Sequence, residues 1–279
     1  IPLIRVHAVL DYFAVGFGEV PADFFMPSPA HLLTLYPLVR HEDQFLYVTP
    51  PQILWALQPR LEQELKRRVS DKETTATRIW EKYQDHRADY LERKTLDSFQ
   101  LALKHCQIYR HLEYPTEAAG SKANAELDAL IIFDTTLFLV EMKAGEFTQP
   151  AKRGAKDRLK RDLQKLIADP HRQAMRAKQF LEEHDSATFT LTDGRLLPIK
   201  TTDFRRVILV AVSLESLDVH HANLHEAIDA GILDGQKIPW AVSLDVLQVI
   251  CEHTEFPTQL VHYILRRIRI TEIAKITAH

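Results

Sequence analysis

Between Asn124 and Gly145 the chain reads NAELDALIIFDTTLFLVEMKAG, two apolar runs separated by a short polar turn. No other stretch constrains the fold as strongly. Runs of this length, rich in Ile, Leu, Phe and Val and divided at Asp134–Thr135, predict a buried β-hairpin. Yet Glu126 and Asp128 stand at one outer end, and Glu141 and Lys143 at the other. Charges taken out of water cost several kcal/mol each, roughly, unless they are paired, hydrogen-bonded or bound to a metal. Side chains alternate along a strand, so Glu141 and Lys143 share a face and Met142 takes the other. A two-residue turn at Asp134–Thr135 puts 128 opposite 141 and 126 opposite 143. A four-residue loop keeps that parity and a three-residue loop reverses it. With an even loop, Glu126, Asp128, Glu141 and Lys143 are expected to converge on one spot.

The surrounding text supplies helices and further strands. Seven prolines between Pro21 and Pro59 interrupt the first part of the chain, where a strand near Phe45–Val48 and a helix over 51–68 are expected. From Ser70, an N-cap candidate with Glu73 three positions on, a long helix runs toward Cys106. Its stripe Ala88, Glu92, Leu96, Phe99, Leu103 is apolar except for one carboxylate, so Glu92 is expected to face inward. QIYRHLEYP at 107–115 reads as a strand, with a loop at Gly120 leading into the hairpin. Asp169 as N-cap and Pro170 in the first turn open a helix in which Gln173 shares a stripe with Ala177 and Phe180. RRVILVAVSLE reads as a strand buried on both faces, 220–236 as helical, IPWAV as a last strand, and 244–268 as two helices parted by Pro257. Strands alternating with helices around one hairpin imply an α/β layered domain with a mixed sheet. The expected division is 1–69 as an N-terminal extension, 70–243 as the core and 244–279 as a helical C-terminal extension.

Two carboxylates and an ammonium at one place suit metal-assisted phosphodiester hydrolysis. Hard oxygens from Asp128 and Glu141, with the Met142 carbonyl as a third donor, are candidate ligands for Mg²⁺ or Mn²⁺. Lys143 is placed to position water or to stabilise a charged transition state. A solvated hairpin carrying an ordinary cross-strand Glu/Lys pair, contributing about 0.2–1 kcal/mol, is the structural alternative.

Asp128, followed by the E-x-K triplet 141–143 on the next apolar strand, resembles the PD-(D/E)xK nuclease superfamily. Within it the wider pattern resembles the nuclease-related-domain group, which combines a helical glutamate, an E-x-D strand, an E-x-K strand and a helix opening Asn-Pro-x-x-Gln. Glu92, ELD at 126–128, EMK at 141–143 and DPHRQ at 169–173 fill those positions, over roughly 75–215. Asp169 stands in place of the asparagine, and a basic insertion precedes it. The resemblance implies a restriction-endonuclease-like core, a mixed sheet flanked by helices, and divalent-metal-dependent cleavage of nucleic acid. It implies a supporting role for Glu92, a substrate or lysine contact for Gln173, and a setting in prokaryotic defence or DNA processing. A nuclease fold without the chemistry, binding nucleic acid or protein, is the alternative function.

Charge by segment names the substrate surface. The net charge is −3, yet 150–178 carries ten basic residues against three aspartates. Lys152, Arg153, Lys156, Arg158, Arg172 and Arg176 are the expected phosphate contacts with DNA, the alternative being a solvated helix face. His221 and His225 have a helical zinc spacing but lack the Glu and the neighbouring cysteines of known zinc motifs. GAKDRLK lacks the glycines and the Lys-Ser/Thr end of a phosphate loop, and no Gly-x-Ser-x-Gly occurs. Two cysteines and no apolar run of membrane length favour a cytoplasmic protein without membrane contact. A homodimer would suit the cutting of two strands. The start at Ile1 and the apolar C-terminal text suggest a piece of a longer chain with other domains.

Overall fold

The computed structural model describes residues 3–19, 32–47, 51–118, 121–152, 155–216, 231 and 239–273. The expected helix 220–236, with His221 and His225, lies outside them but for Gly231, as does Arg153; the side chain of Lys152 is likewise not described. The chain divides into two compact units, residues 1–85 with 149–155, and residues 86–148 with 156–279.

The first unit holds helix α1 (Leu3–Tyr12), a three-stranded sheet of β1 (Ala14–Gly16), β2 (Leu38–His41) and β3 (Gln44–Tyr47), and helix α2 (Gln52–Ser70). It also holds the opening turns of α3 (Thr74–Ala102) and the short helix α4 (Gln149–Lys152). Ser70 ends α2, its hydroxyl donating to the Lys66 carbonyl, and is not the cap of α3. Lys72, at φ 61°, turns the chain between the two helices, which is why the capping-box spacing misplaces the boundary.

The second unit is a mixed seven-stranded sheet between helices. Its strands are β4 (Gln107–Ala118), β5 (Ser121–Phe133), β6 (Thr136–Lys143), β7 (Ala187–Thr190), β8 (Leu196–Ile199), β9 (Arg206–Ser213) and β10 (Trp240–Ser243). Their spatial order is β10-β9-β6-β5-β4-β7-β8, with β6, β9 and β10 mutually parallel and the remaining pairs antiparallel. This is the restriction-endonuclease-like architecture. The β7–β8 hairpin, turning through Asp193 and Gly194 (φ 80°), was not anticipated from the sequence although Asp-Gly is a turn signal.

Alternation on β6 assigns the two faces of the sheet. Phe138, Val140 and Met142 pack with Leu91, Phe99 and Leu103 of α3, and with Leu247 of α7 (Leu244–Glu252) and Leu260 and Ile264 of α8 (Pro257–Ile273). Leu137 and Leu139 point the other way, toward Ala174, Ala177, Phe180 and Leu181 of α6 (Asp169–Glu182). Both faces are apolar and covered, as expected for a sheet whose central strands are buried on two sides.

Helix α6 does not start freely at an Asp169 cap. Helix α5 (Lys156–Leu163) runs into a π-turn at Gln164–Ala168, which runs into α6. The Asp169 N–H donates to the Gln164 carbonyl five residues back. Pro170 explains the widening: its ring has no N–H and would clash with the carbonyl four residues earlier in a regular helix.

Candidate active site

The hairpin register is the one an even turn requires. Phe133 pairs with Thr136 and Ala129 with Val140 across a two-residue turn at Asp134–Thr135. Asp134 takes φ 50° there, a left-handed conformation that aspartate tolerates. Continuing the register sets Asp128 across from Glu141, but beyond Ala129 the ladder gives way to a side-chain bond. One Asp128 carboxylate oxygen accepts from the Met142 N–H at 2.7 Å.

Glu141 and Lys143 share the face of Leu137 and Leu139, toward α6. Glu141 is 0% exposed, and neither of its carboxylate oxygens has a hydrogen-bond partner. Lys143 Nζ lies 3.8 Å from Glu141 Oε2, an ion pair too long to be a hydrogen bond. Burial pushes the Glu141 carboxyl up to about 9, reinforced by the Asp128 charge and opposed by Lys143. Burial also raises Asp128, against Lys143 and the Met142 N–H. Two acids of this kind coexist only with a shared proton or a bound cation.

Glu126 departs from the expected convergence, and the cause is a change of face. Ala129 and Ile131 of β5 and Ile108 of β4 lie on the α3 side, so strict alternation would put Leu127 and Leu112 there too. Instead Leu112, Tyr114, Ala125 and Leu127 lie on the α6 side. The exchange happens at one step: Arg110 pairs with Ala129 and Leu112 with Leu127, while His111 and Asp128 between them do not pair. His111 takes φ 50°, unusual for a residue with a side chain, and breaks the pleat. Glu126 is consequently exposed, held by His111 Nδ1 at 2.9 Å.

Glu92 joins this second group. It accepts from Arg110 Nε at 2.6 Å and lies 3.2 Å from His111 Nε2. Its side chain is only 14% exposed, but Ala88, one turn earlier on the expected inward stripe, is exposed. Helical periodicity sets the direction of a side chain and not whether anything covers it.

Gln173 is brought to the acids' neighbourhood. Its side-chain oxygen is buried without a partner, and it lines, with Lys143, Lys165, Arg172 and Arg176, a cavity of about 650 Å³. Arg172 is engaged by Asp169, whereas Arg176 has no carboxylate partner among the described residues. Lys156 and Arg158 are exposed on α5. Two residues escaped the sequence analysis. Asp162, counted there only as a counter-charge, is buried and accepts from both the N–H and the hydroxyl of Thr148 at 2.8 Å, tying down the loop after Lys143. Tyr114, 1% exposed, lies close to both Arg176 and Glu141; burial raises its phenol and Arg176 acts the other way. An aromatic in an alternating strand gives no signal that its hydroxyl borders a site.

The residues present fit a divalent ion. Buried, unpartnered oxygens on Glu141 beside the Asp128 carboxylate are hard donors of the kind Mg²⁺ and Mn²⁺ take, and Mg²⁺ commonly uses only one or two protein carboxylates. Among the described residues no group of three or more His, Cys, Asp or Glu is arranged to hold a metal, so the remaining positions would fall to backbone, water or substrate oxygens.

Comparison with known proteins bears on the same segment. Residues 87–201 match the family model described as the nuclease-related domain, NERD. Among curated proteins none matches the chain. A solved structure, protein VC1899 from Vibrio cholerae, aligns at 11% identity and a TM-score of 0.28, covering 83% of this chain and 40% of that one. The chain therefore spans well under half of that protein. The match at 87–201 covers Glu92, Asp128, Glu141, Lys143 and Gln173, and the nuclease-related domain it matches is one of the PD-(D/E)xK-like nuclease group.

Proposed function

We propose that this protein is a divalent-metal-dependent nuclease that hydrolyses phosphodiester bonds of DNA. The observation that carries the reading is Glu141: a fully buried carboxylate with both oxygens unpartnered, set beside Asp128 and Lys143. Asp128 and Glu141 would hold Mg²⁺ or Mn²⁺, with the Met142 carbonyl as an additional donor. The ion, when bound, would lower the pKa of a water and neutralise charge on the phosphate. Asp128 is held in place by the Met142 N–H, so its carboxylate is oriented before any ligand arrives. Lys143, on the same face as Glu141, would orient the attacking water or stabilise the negative transition state. Gln173 and Arg176, which line the cavity with Lys143, would hold substrate oxygens. Glu92 would act from outside the pair of acids, through the His111 cluster. DNA would approach over Lys156, Arg158 and Arg176; Lys152 and Arg153 are added as phosphate contacts from the sequence alone. Action in the cytoplasm, in defence or DNA processing, as a homodimer or as part of a longer chain, belongs to this proposal on family resemblance alone. Among the described residues no helix is long and apolar enough to cross a membrane.

A second reading, a nucleic-acid-binding scaffold without hydrolysis, is favoured by one observation. With its carboxyl pushed up to about 9, Glu141 can satisfy the site by keeping a proton in place of a metal. Incubating purified protein with plasmid DNA and Mg²⁺, beside Lys143→Ala, separates the two. Cleavage by the parent and not by the variant is expected; binding of DNA without cleavage by either would establish the scaffold.

A further inference from the structure

A second cavity, of about 610 Å³, adjoins the first and shares Arg176 with it. It lies between the end of β4 and helix α6, lined by Tyr114, Thr116, Gln179, Phe180 and His184, with Glu183 among its walls. We infer that this cavity is a nucleobase subsite, taking an unpaired base of the strand whose phosphate lies at Lys143 and Arg176. The inference rests on the nuclease reading and names its substrate class: single-stranded or locally unpaired DNA.

Four features point to a base. The volume is ample for one heterocycle and sits within the ordinary range of small-ligand pockets. The Tyr114 hydroxyl is buried beside Arg176, which sets the phenol against the guanidinium at the boundary of the two cavities. His184 offers an exposed aromatic ring, 4.8 Å from that of the buried Phe180. His184 Nδ1 lies 2.8 Å from the Phe180 carbonyl, which only accepts, so Nδ1 carries the proton and Nε2 is left to face a ligand.

Charge argues against a second phosphate. Glu183 is held in place by Gln179 Nε2 at 2.7 Å, and a carboxylate at the wall repels an anion while accepting from an exocyclic amine. Arg176, between the two cavities, is placed to hold the phosphate that follows the base. A base stacked and paired in a duplex cannot enter a cavity, so the strand must present it out of the stack.

The test measures binding with divalent ion withheld, so that no cleavage is needed. Fluorescence anisotropy compares a labelled single strand of mixed sequence, its blunt duplex, and a single strand of abasic nucleotides. The parent is expected to bind the base-bearing single strand about tenfold more tightly than the other two. Thr116→Trp, which fills the cavity, should abolish the preference. His184→Ala, at an exposed position, should reduce it about threefold, and it decides the matter if circular dichroism shows Thr116→Trp unfolded. Equal binding of the three probes, or a preference untouched by the folded variants, overturns the subsite. If the preference holds while Mg²⁺ gives no cleavage of any DNA, the subsite stands and the hydrolytic reading fails. Cleavage of duplex and single strand alike, without binding preference, leaves hydrolysis standing and the subsite refuted.

Discussion

The Asp128 carboxylate accepts the N–H of Met142 at 2.7 Å, so the first acid of the site is fixed by the backbone of the strand that carries the second. A side chain thus replaces the ladder bond where β5 and β6 part. The replacement keeps the Met142 N–H satisfied while turning Asp128 toward Glu141. Both acids are raised by burial, and each bears on the other.

Stability should report this pair. With its folded carboxyl pushed up to about 9 from an ordinary 4.5, Glu141 binds a proton in the folded state over a window in which the unfolded chain has released it. Its contribution to stability is therefore complete below about pH 4.5 and declines as pH rises toward 9, in metal-free protein. Glu141→Gln should raise Tm by several degrees at pH 8 and flatten that decline, read by scanning fluorimetry at a series of pH values. Added Mg²⁺ should raise the Tm of the parent at pH 8 and leave Glu141→Gln unmoved.

Lys143→Ala should lower the rate of DNA cleavage by about 10²–10³-fold, the cost of removing one preorganised charge at a reacting centre. DNA binding measured without metal should change by less than about threefold, because one phosphate contact is a small part of a basic surface. Quantified nicking of supercoiled plasmid, beside anisotropy, separates the two effects.

His111 links Glu92 and Glu126 from a left-handed backbone conformation. A β-branched residue is strained there by roughly 1–2 kcal/mol, and the imidazole contacts would be lost as well. His111→Val is expected to destabilise by about 2–3 kcal/mol in urea denaturation. His111→Gly should cost clearly less, since glycine recovers the strain while losing the same contacts.

Arg172 and Arg176 sit one helical turn apart on α6 and should differ. Arg172 is already paired with Asp169, whereas Arg176 forms no ion pair with a carboxylate among the described residues and acts on buried Glu141 only at longer range. Arg176→Ala should reduce the slope of log Kd against log salt by about 0.7–0.9, one phosphate contact, and Arg172→Ala should leave it nearly unchanged. Titrations at several salt concentrations measure both slopes.

Alternation and helical period are properties of near neighbours, and what rests on them was legible in the sequence. The Asp134–Thr135 turn, Asp128 opposite Glu141, Lys143 on the face of Glu141, and Ala177 and Phe180 turned toward the sheet all followed from local pattern. Tertiary structure decided the rest. The change of face at His111 and Asp128 removed Glu126 from the acids, because a single left-handed residue resets alternation and nothing in the text of a strand marks it. The π-turn before Pro170, the anchoring of Thr148 by Asp162, and the meeting of Tyr114 with Arg176 each depend on residues far apart in the chain or on backbone forced aside by packing. Local chemistry chose the acids and the lysine; burial from both sides of the sheet decided that Glu141 would lose its water beside a partly exposed Lys143.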